Sequence, residues 1–198
     1  MGIGDVNSLI DIIGWAHSIK ISLLNLDSIN ELDITGTYPI SYLALDPALL
    51  HIKPNLIPGL TMEDIKEIAP DSLLIKLRSA DQVQYTRVRE LKHDILWKAF
   101  NRFYETQDRF MRERKEFDAF QEADQLNWLN EYAIFSTLAA FNRHFNWEEW
   151  PEEHQNLQTS LEWIEKQLPS FYEKFKKQIL FYKFIQWLVI NRPSAQLK

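Results

Sequence analysis

From Thr61 onward no run in this 198-residue chain alternates apolar and polar side chains as a half-buried strand must, and helical spacing takes over. Before that point only Ile21-Ser22-Leu23-Leu24-Asn25-Leu26 reads as a convincing strand, closed by the turn-forming pair Asp27 and Ser28. A single strand cannot close a barrel. The chain is also short of the roughly 250 residues that a complete eightfold βα barrel uses. The expected fold is therefore mainly α.

Asn7 and Ser8 stand in front of Leu9, Ile12, Ile13, Ala16 and Ile19, a stripe at i, i+3, i+4 and i+7 that predicts a helix of about three turns with a capping residue before it. Helix, strand and loop in this order make one βα unit like the start of a (β/α)8 barrel, with the barrel incomplete. Thr35-Gly36-Thr37-Tyr38-Pro39 is the main loop signal, and Ile40 to Leu45 forms a short extended piece. Asp46-Pro47 is a helix start, with Asp as N-cap and Pro at the first helical position. A boundary around Ile57-Pro58-Gly59 separates a partial barrel segment, 1–58, from a helical subdomain, 59–198.

Within that subdomain, Thr61 to Asp64 caps a short helix ending near Pro70, and Asp71 or Ser72 opens another. Val88, Leu91, Ile95, Ala99 and Phe103 mark a long amphipathic helix from about 86 to 106. Residues 109–122 alternate charge signs, with Phe110, Phe117 and Phe120 along one side. Trp128, Leu129, Tyr132, Ala133, Ser136 and Ala140 place a further helix, and two more fit 158–168 and 170–191. Tyr182, Phe184 and Trp187 lie on the core-facing side of the last one, which Arg192-Pro193 breaks.

The chemistry is narrowed mainly by exclusion. Twenty-two basic against 28 acidic residues give a net charge of −6, the wrong sign for a nucleic-acid footprint. The most apolar run, Ile179 to Ile190, is interrupted by Lys183 and falls short of the about 20 residues of a bilayer span. Residues 1–20 lack a basic leader, so a cytoplasmic protein without membrane association is expected. No cysteine is present, which excludes thiolate metal sites and a Cys nucleophile. His17, His51, His93, His144 and His154 have no metal-binding spacing, and read as surface or capping residues. Gly2-Ile3-Gly4 has neither the preceding strand nor the third glycine of a phosphate cradle. No cofactor and no metal are expected.

Glu148-Glu149 and Glu152-Glu153 point in different directions if helical, unlike the carboxyl pair of a retaining glycosidase, which sits about 5–5.5 Å apart. The helix dipole accounts for glutamates in a first turn. Asn146 caps Trp147 to Trp150, and Pro151 stops that turn. Trp147 and Trp150, three residues apart, share a helical face. Packing is the commoner use of such a pair; stacking on the C–H face of a sugar ring is the other.

Six segments, in order along the chain, resemble the amylomaltases, the 4-α-glucanotransferases of maltodextrin metabolism. They are Gly2-Ile3-Gly4-Asp5 with Trp15-Ala16, the stretch Asp27 to Glu31, Ile40 to Pro47, Trp128-Leu129-Asn130-Glu131-Tyr132-Ala133-Ile134-Phe135, Trp147-Glu148-Glu149-Trp150-Pro151, and Phe184-Ile185-Gln186-Trp187-Leu188. The last three are similar to WLxDYAxF, WxxWP and FxQWL patterns. The resemblance implies a glycosidase-type barrel carrying an inserted helical subdomain. It also implies α-1,4-glucan transfer through a covalent glucosyl–Asp intermediate, with a Glu as acid/base and a second Asp stabilising the transition state.

In that family the three carboxylates lie beyond the FxQWL helix, so no residue here inherits a catalytic role, and a truncated relative, inactive alone, is expected. The sugar-contacting loop corresponds to Thr37-Tyr38-Pro39-Ile40-Ser41. Tyr38, Ser41, Trp147 and Trp150 are the candidate substrate-binding residues, and an α-1,4-glucan is the candidate ligand. Ser28 and Arg192-Pro193 depart from the family pattern. The other readings are one piece of a split enzyme, or a helical interaction module whose unpaired strand edge takes a protein partner or a second copy.

Overall fold

The stripe from Val88 to Phe103 organises the molecule. All five of its residues are buried on one face of helix α4 (Tyr85–Glu105), as the spacing predicts. The computed structural model describes residues 3–26, 29–32 and 39–191. Around α4 lie α1 (Val6–Ser18), α2 (Met62–Ile68), α3 (Asp71–Arg78), α5 (Met111–Glu122), α6 (Trp128–Asn142), α7 (Leu157–Glu165) and α8 (Pro169–Asn191). Expectations resting on Gly2, Asp27, Ser28, Thr35 to Tyr38 and Arg192-Pro193 lie outside the described residues.

The last helix, α8, is the spine, packing against α4, α5, α6 and α7. Phe181, Phe184 and Trp187 recur every three residues along it and meet Phe100, Phe103 and Phe117. The Phe103 and Phe184 rings sit 5.0 Å apart and Phe117 and Trp187 5.5 Å apart, spacings at which aromatic quadrupoles attract. Leu50, Ile57 and Leu60 complete the same core. A second aromatic cluster, with Trp150, Trp163, Phe171 and Phe175, fills the space between α6, α7 and the start of α8. Helix α6 is buried nearly all round, which explains why its sequence has so little amphipathic contrast.

Gly59 allows the loop before α2 to lie directly on α4. Its φ is +82°, and a β-carbon there would stand 2.2 Å from the Ala99 carbonyl oxygen. Two residues on, Thr61 and Asp64 form the expected capping box: Thr61 Oγ1 accepts from the Asp64 N–H at 3.2 Å, and the Thr61 N–H donates back to Asp64 at 3.0 Å. Arg102 of α4 clamps this box through its guanidinium, with Nη2 3.0 Å from Asp64 Oδ1 and Nη1 on the Gly59 carbonyl. That pairing holds the Asp64 carboxyl far below the usual range.

The β expectation is corrected. Ile21 to Leu26 forms no strand, because among the described residues no segment lies alongside to pair its backbone; the Ile21 N–H turns back to Ala16 O at 2.9 Å. Among the described residues there is therefore no strand to support the barrel start that the helix–strand order implies. The only β-type pairing among the described residues is two isolated antiparallel bridges, Asn30 with Leu45 and Leu32 with Pro39. The cap of α1 is Asp5, accepting from the Ser8 N–H at 3.1 Å, rather than Asn7 or Ser8. Only Ala16 of the α1 stripe is buried. Trp147 to Glu149 is a 3-10 turn, too short for the helical face proposed for Trp147 and Trp150; Asn146 stands at its N-cap as expected, but its side-chain amide donates to the Glu149 side chain at 2.7 Å and no backbone N–H is capped by it.

Candidate functional site

Distant segments meet at a polar node between residues 29–32 and 39–46, which form an arm, and helices α6 and α8. Gln186 is fully buried; its Nε2 donates to the Leu45 carbonyl at 2.9 Å and to the Tyr132 hydroxyl at 3.2 Å. Tyr132 in turn donates its hydroxyl proton to Glu31. Burial pushes the Glu31 carboxyl up to about 7, against the Tyr132 bond, and the nearby Asp46 carboxylate adds to the rise. Burial likewise pushes the Tyr132 phenol well above 10.

Beside this node, Asp46 caps the Pro47–Leu49 turn and pairs with Arg89 of α4. Lys92, one turn further along α4, is buried and donates to the Ala48 and Leu50 carbonyls, the latter at 2.8 Å. Burial lowers its ammonium to about 8, with Asp5 and Asp46 opposing the fall. His51 Nδ1 lies 2.8 Å from Asp5 Oδ2. Asp5, Glu31, Asp46 and Asp64 are thus each committed to a partner within the fold. Sequence reasoning placed Asp46 and Asp64 at helix starts but missed the long-range node of Glu31, Tyr132 and Gln186. Its one visible signal was Gln186, a lone amide inside the apolar run Phe184 to Leu188.

The candidate binding residues are not brought to one place. Ser41 holds a turn, its Oγ accepting from the Leu43 and Ala44 N–H groups at 3.1 and 3.3 Å. Tyr38 lies outside the described residues. Trp150 is 4% exposed, packs on Phe135 with centroids 5.3 Å apart, and donates Nε1–H to the His144 carbonyl at 3.0 Å. Trp147, by contrast, is half exposed. The two tryptophans line one open groove of about 420 Å³, walled by α6, α7 and the turns between them. His154 also lines it and is buried, contrary to the surface role expected for it: Trp163 and Phe141 enclose its ring.

A family model described as 4-alpha-glucanotransferase matches residues 1–196. This chain belongs to the 4-alpha-glucanotransferase family. It is 26% identical over 195 residues to the 4-alpha-glucanotransferase of Chlamydia pneumoniae, covering 94% of this chain and 33% of that protein. It is 26% identical over 207 residues to the 4-alpha-glucanotransferase of Chlamydia trachomatis serovar D, covering 98% of this chain and 34% of the relative. The chain thus spans about a third of the length of the curated 4-alpha-glucanotransferases it matches. No solved structure matches it at a significant level. Among the described residues, no helix is long and apolar enough to cross a membrane.

Proposed function

We propose that this chain is one part of a 4-alpha-glucanotransferase unit that moves α-1,4-glucan segments, and that it carries out no transfer by itself. The supporting observation is an apolar face that no other part of the described residues covers. Ile12, Ile13 and Trp15 of α1 and Leu23 and Leu26 after it are 49–83% exposed. An apolar surface of this extent on one short segment marks an interface. Because the curated relatives are about three times as long, the part of the family fold that this chain does not match is the occupant that fits the face.

Asp5, Glu31, Asp46 and Asp64, the buried or half-buried acids around the arm and the α2 junction, are each engaged within the fold and offer no free carboxyl pair there. A retaining transfer needs one free nucleophilic carboxylate and a second carboxyl acting as acid and then base.

The test is to incubate the purified chain with maltotriose, alone and mixed with the two thirds of the Chlamydia pneumoniae relative that it does not match. No glucose and no longer dextrins are expected from the chain alone, and both from the mixture. Trp15→Glu should abolish the mixed activity while leaving the chain folded. Disproportionation by the isolated chain overturns the inactivity. A mixture that neither associates nor transfers overturns the assignment of the face, and a self-dimer seen by sedimentation would assign it to a second copy.

A further inference from the structure

The net charge of the whole chain is concentrated in one stretch. Between Glu131 and Glu165, which takes in α6, two 3-10 turns and α7, stand seven glutamates and one basic residue, Arg143, for a net charge of −6. The rest of the chain carries acidic and basic side chains in equal number. Elsewhere the acids are neutralised by neighbours: Asp46 by Arg89, Asp64 by Arg102, Glu67 by Lys98 and Glu105 by Lys177. Among the described residues no lysine or arginine pairs with any of the seven glutamates. Like charges so gathered repel one another, and a partner of the opposite sign relieves that repulsion.

The same stretch encloses the groove of about 420 Å³ between α6 and α7. Its floor is apolar: Ile134 and Leu138, one turn apart on α6, with Phe135 beside them. Residues four apart on a helix are about 6 Å apart along its axis, the repeat at which a guest helix presents its own anchors. Trp147 and Leu157 also line the groove and remain 48% and 37% exposed. The turns that wall it are tied together before any ligand arrives. Gln155 Nε2 donates to the Trp150 carbonyl at 2.7 Å and to the Glu148 carbonyl at 3.0 Å, and Trp150 Nε1–H donates to the His144 carbonyl. A groove fixed in advance loses little freedom when it is filled.

The charges frame this apolar floor. Glu131 lines the groove from α6, Glu148 and Glu149 share the turn with Trp147, and Glu152 and Glu153 lie in the turn just after Trp150. All five are exposed, and no lysine or arginine lines the groove. His154 adds no ligand contact, since Trp163 and Phe141 enclose its ring. Phosphates, nucleic acids, acidic peptides and anionic lipid headgroups are repelled by such a site. A neutral ligand gains nothing from its charge. A helix with a narrow apolar stripe flanked by lysines or arginines fills the floor and neutralises the field together.

We infer that this groove docks a basic amphipathic helix of a protein partner, its apolar stripe on Phe135, Trp147 and Leu157 and its cations toward Glu131, Glu148 and Glu152. None of the lining residues belongs to α1, whose face is assigned above to the rest of the family fold. The docking needs no transfer chemistry and does not rest on the transferase reading.

The test titrates the full chain into a fluorescein-labelled peptide of about four helical turns and follows anisotropy. The peptide carries leucines at i, i+3, i+4 and i+7 in a lysine background. One control scrambles the same composition so that the stripe is lost, and another has glutamate in place of lysine. The striped basic peptide should bind, and both controls at least about tenfold more weakly. Raising the salt from about 50 to about 500 mM should weaken its binding several-fold. Trp147→Ala, with unchanged circular dichroism, should weaken it about tenfold or more, the loss of one central aromatic anchor. The double variant Glu131→Lys, Glu152→Lys should slow association. Trp15→Glu, on the α1 face, should change nothing.

No binding of the striped peptide overturns the inference, as does equal binding of the scrambled one or affinity undiminished by Trp147→Ala. Loss of binding in Trp15→Glu places the peptide on α1 and also overturns it. Self-association in sedimentation that Trp147→Ala removes would give the groove to a second copy, and displacement of the peptide by maltoheptaose would give it to a sugar. Either result refutes a basic helix as the occupant. Failure of the chain to associate with the rest of the Chlamydia pneumoniae relative would sink the proposed function alone and leave this inference standing.

Discussion

The side-chain amide of Gln186 pairs with the backbone of Leu45 in both directions, its Nε2 donating to Leu45 O at 2.9 Å and its Oε1 accepting from Leu45 N at 3.0 Å, across 141 residues of sequence. The amide acts as one rung of a strand pair on the side of Leu45 opposite its backbone bridge to Asn30. Replacing it by Leu keeps the volume and removes both bonds. Gln186→Leu is expected to cost about 2–3 kcal/mol, because two backbone groups and the Tyr132 hydroxyl lose partners together. Urea titration checks this; an unshifted midpoint would mean that the arm is held by other contacts.

Glu31 makes stability depend on pH. Its folded carboxyl holds a proton up to about 7, whereas its ordinary value is 4.5. Between those values the folded state binds more protons than the unfolded one, so this group's contribution is complete below 4.5 and is lost as pH rises through about 7. Thermal midpoints should therefore fall on going from about pH 5 to about pH 8, and Glu31→Gln should flatten that part of the profile. A Glu31→Gln profile that superimposes on the wild type would refute the assignment.

The Asp64–Arg102 clamp and Gly59 act at the same junction. Asp64→Ala removes a helix cap and leaves Arg102 without its carboxylate, at an expected cost of about 2–4 kcal/mol, the pair being buried on the Asp side only. Gly59→Ala drives a methyl against the Ala99 carbonyl at a positive φ, and should cost more than about 2 kcal/mol. Both should lower the chemical-denaturation midpoint; wild-type stability in either variant would show that the loop can lift off α4.

Trp147 and Trp150 should separate cleanly by stability. Trp150→Ala opens the second aromatic cluster and strands the His144 carbonyl, at an expected cost of about 3–5 kcal/mol. Trp147→Ala should fall within about 0.5 kcal/mol of the wild type. Equal destabilisation by the two would contradict the exposure of Trp147.

The parts of the fold legible in the sequence were those written in local spacing. Val88 to Phe103 and Tyr182 to Trp187 announce α4 and α8 because a helix carries its own backbone bonds, and Thr61 with Asp64 marks the start of α2 for the same reason. Ile21 to Leu26 misled because a strand is made by its neighbour, and the described residues offer none. The α1 stripe placed its helix correctly, but burial depends on what lies opposite. Trp147 and Trp150 were put on one face by assuming 3.6 residues per turn where the chain makes a tighter turn. The node of Glu31, Tyr132 and Gln186 was beyond local reading, since its links run 101 and 54 residues along the chain.

Because Leu45 is fastened by a residue near the far end of α8, the order of synthesis matters. A ribosome making this polypeptide must add 141 residues after Leu45 before Gln186 can fasten it, and chains emerge at only about 5–20 residues per second. For several seconds Leu45 lacks that fastening while the apolar surface of α1 stands open, long enough for a chaperone or another chain to engage them first.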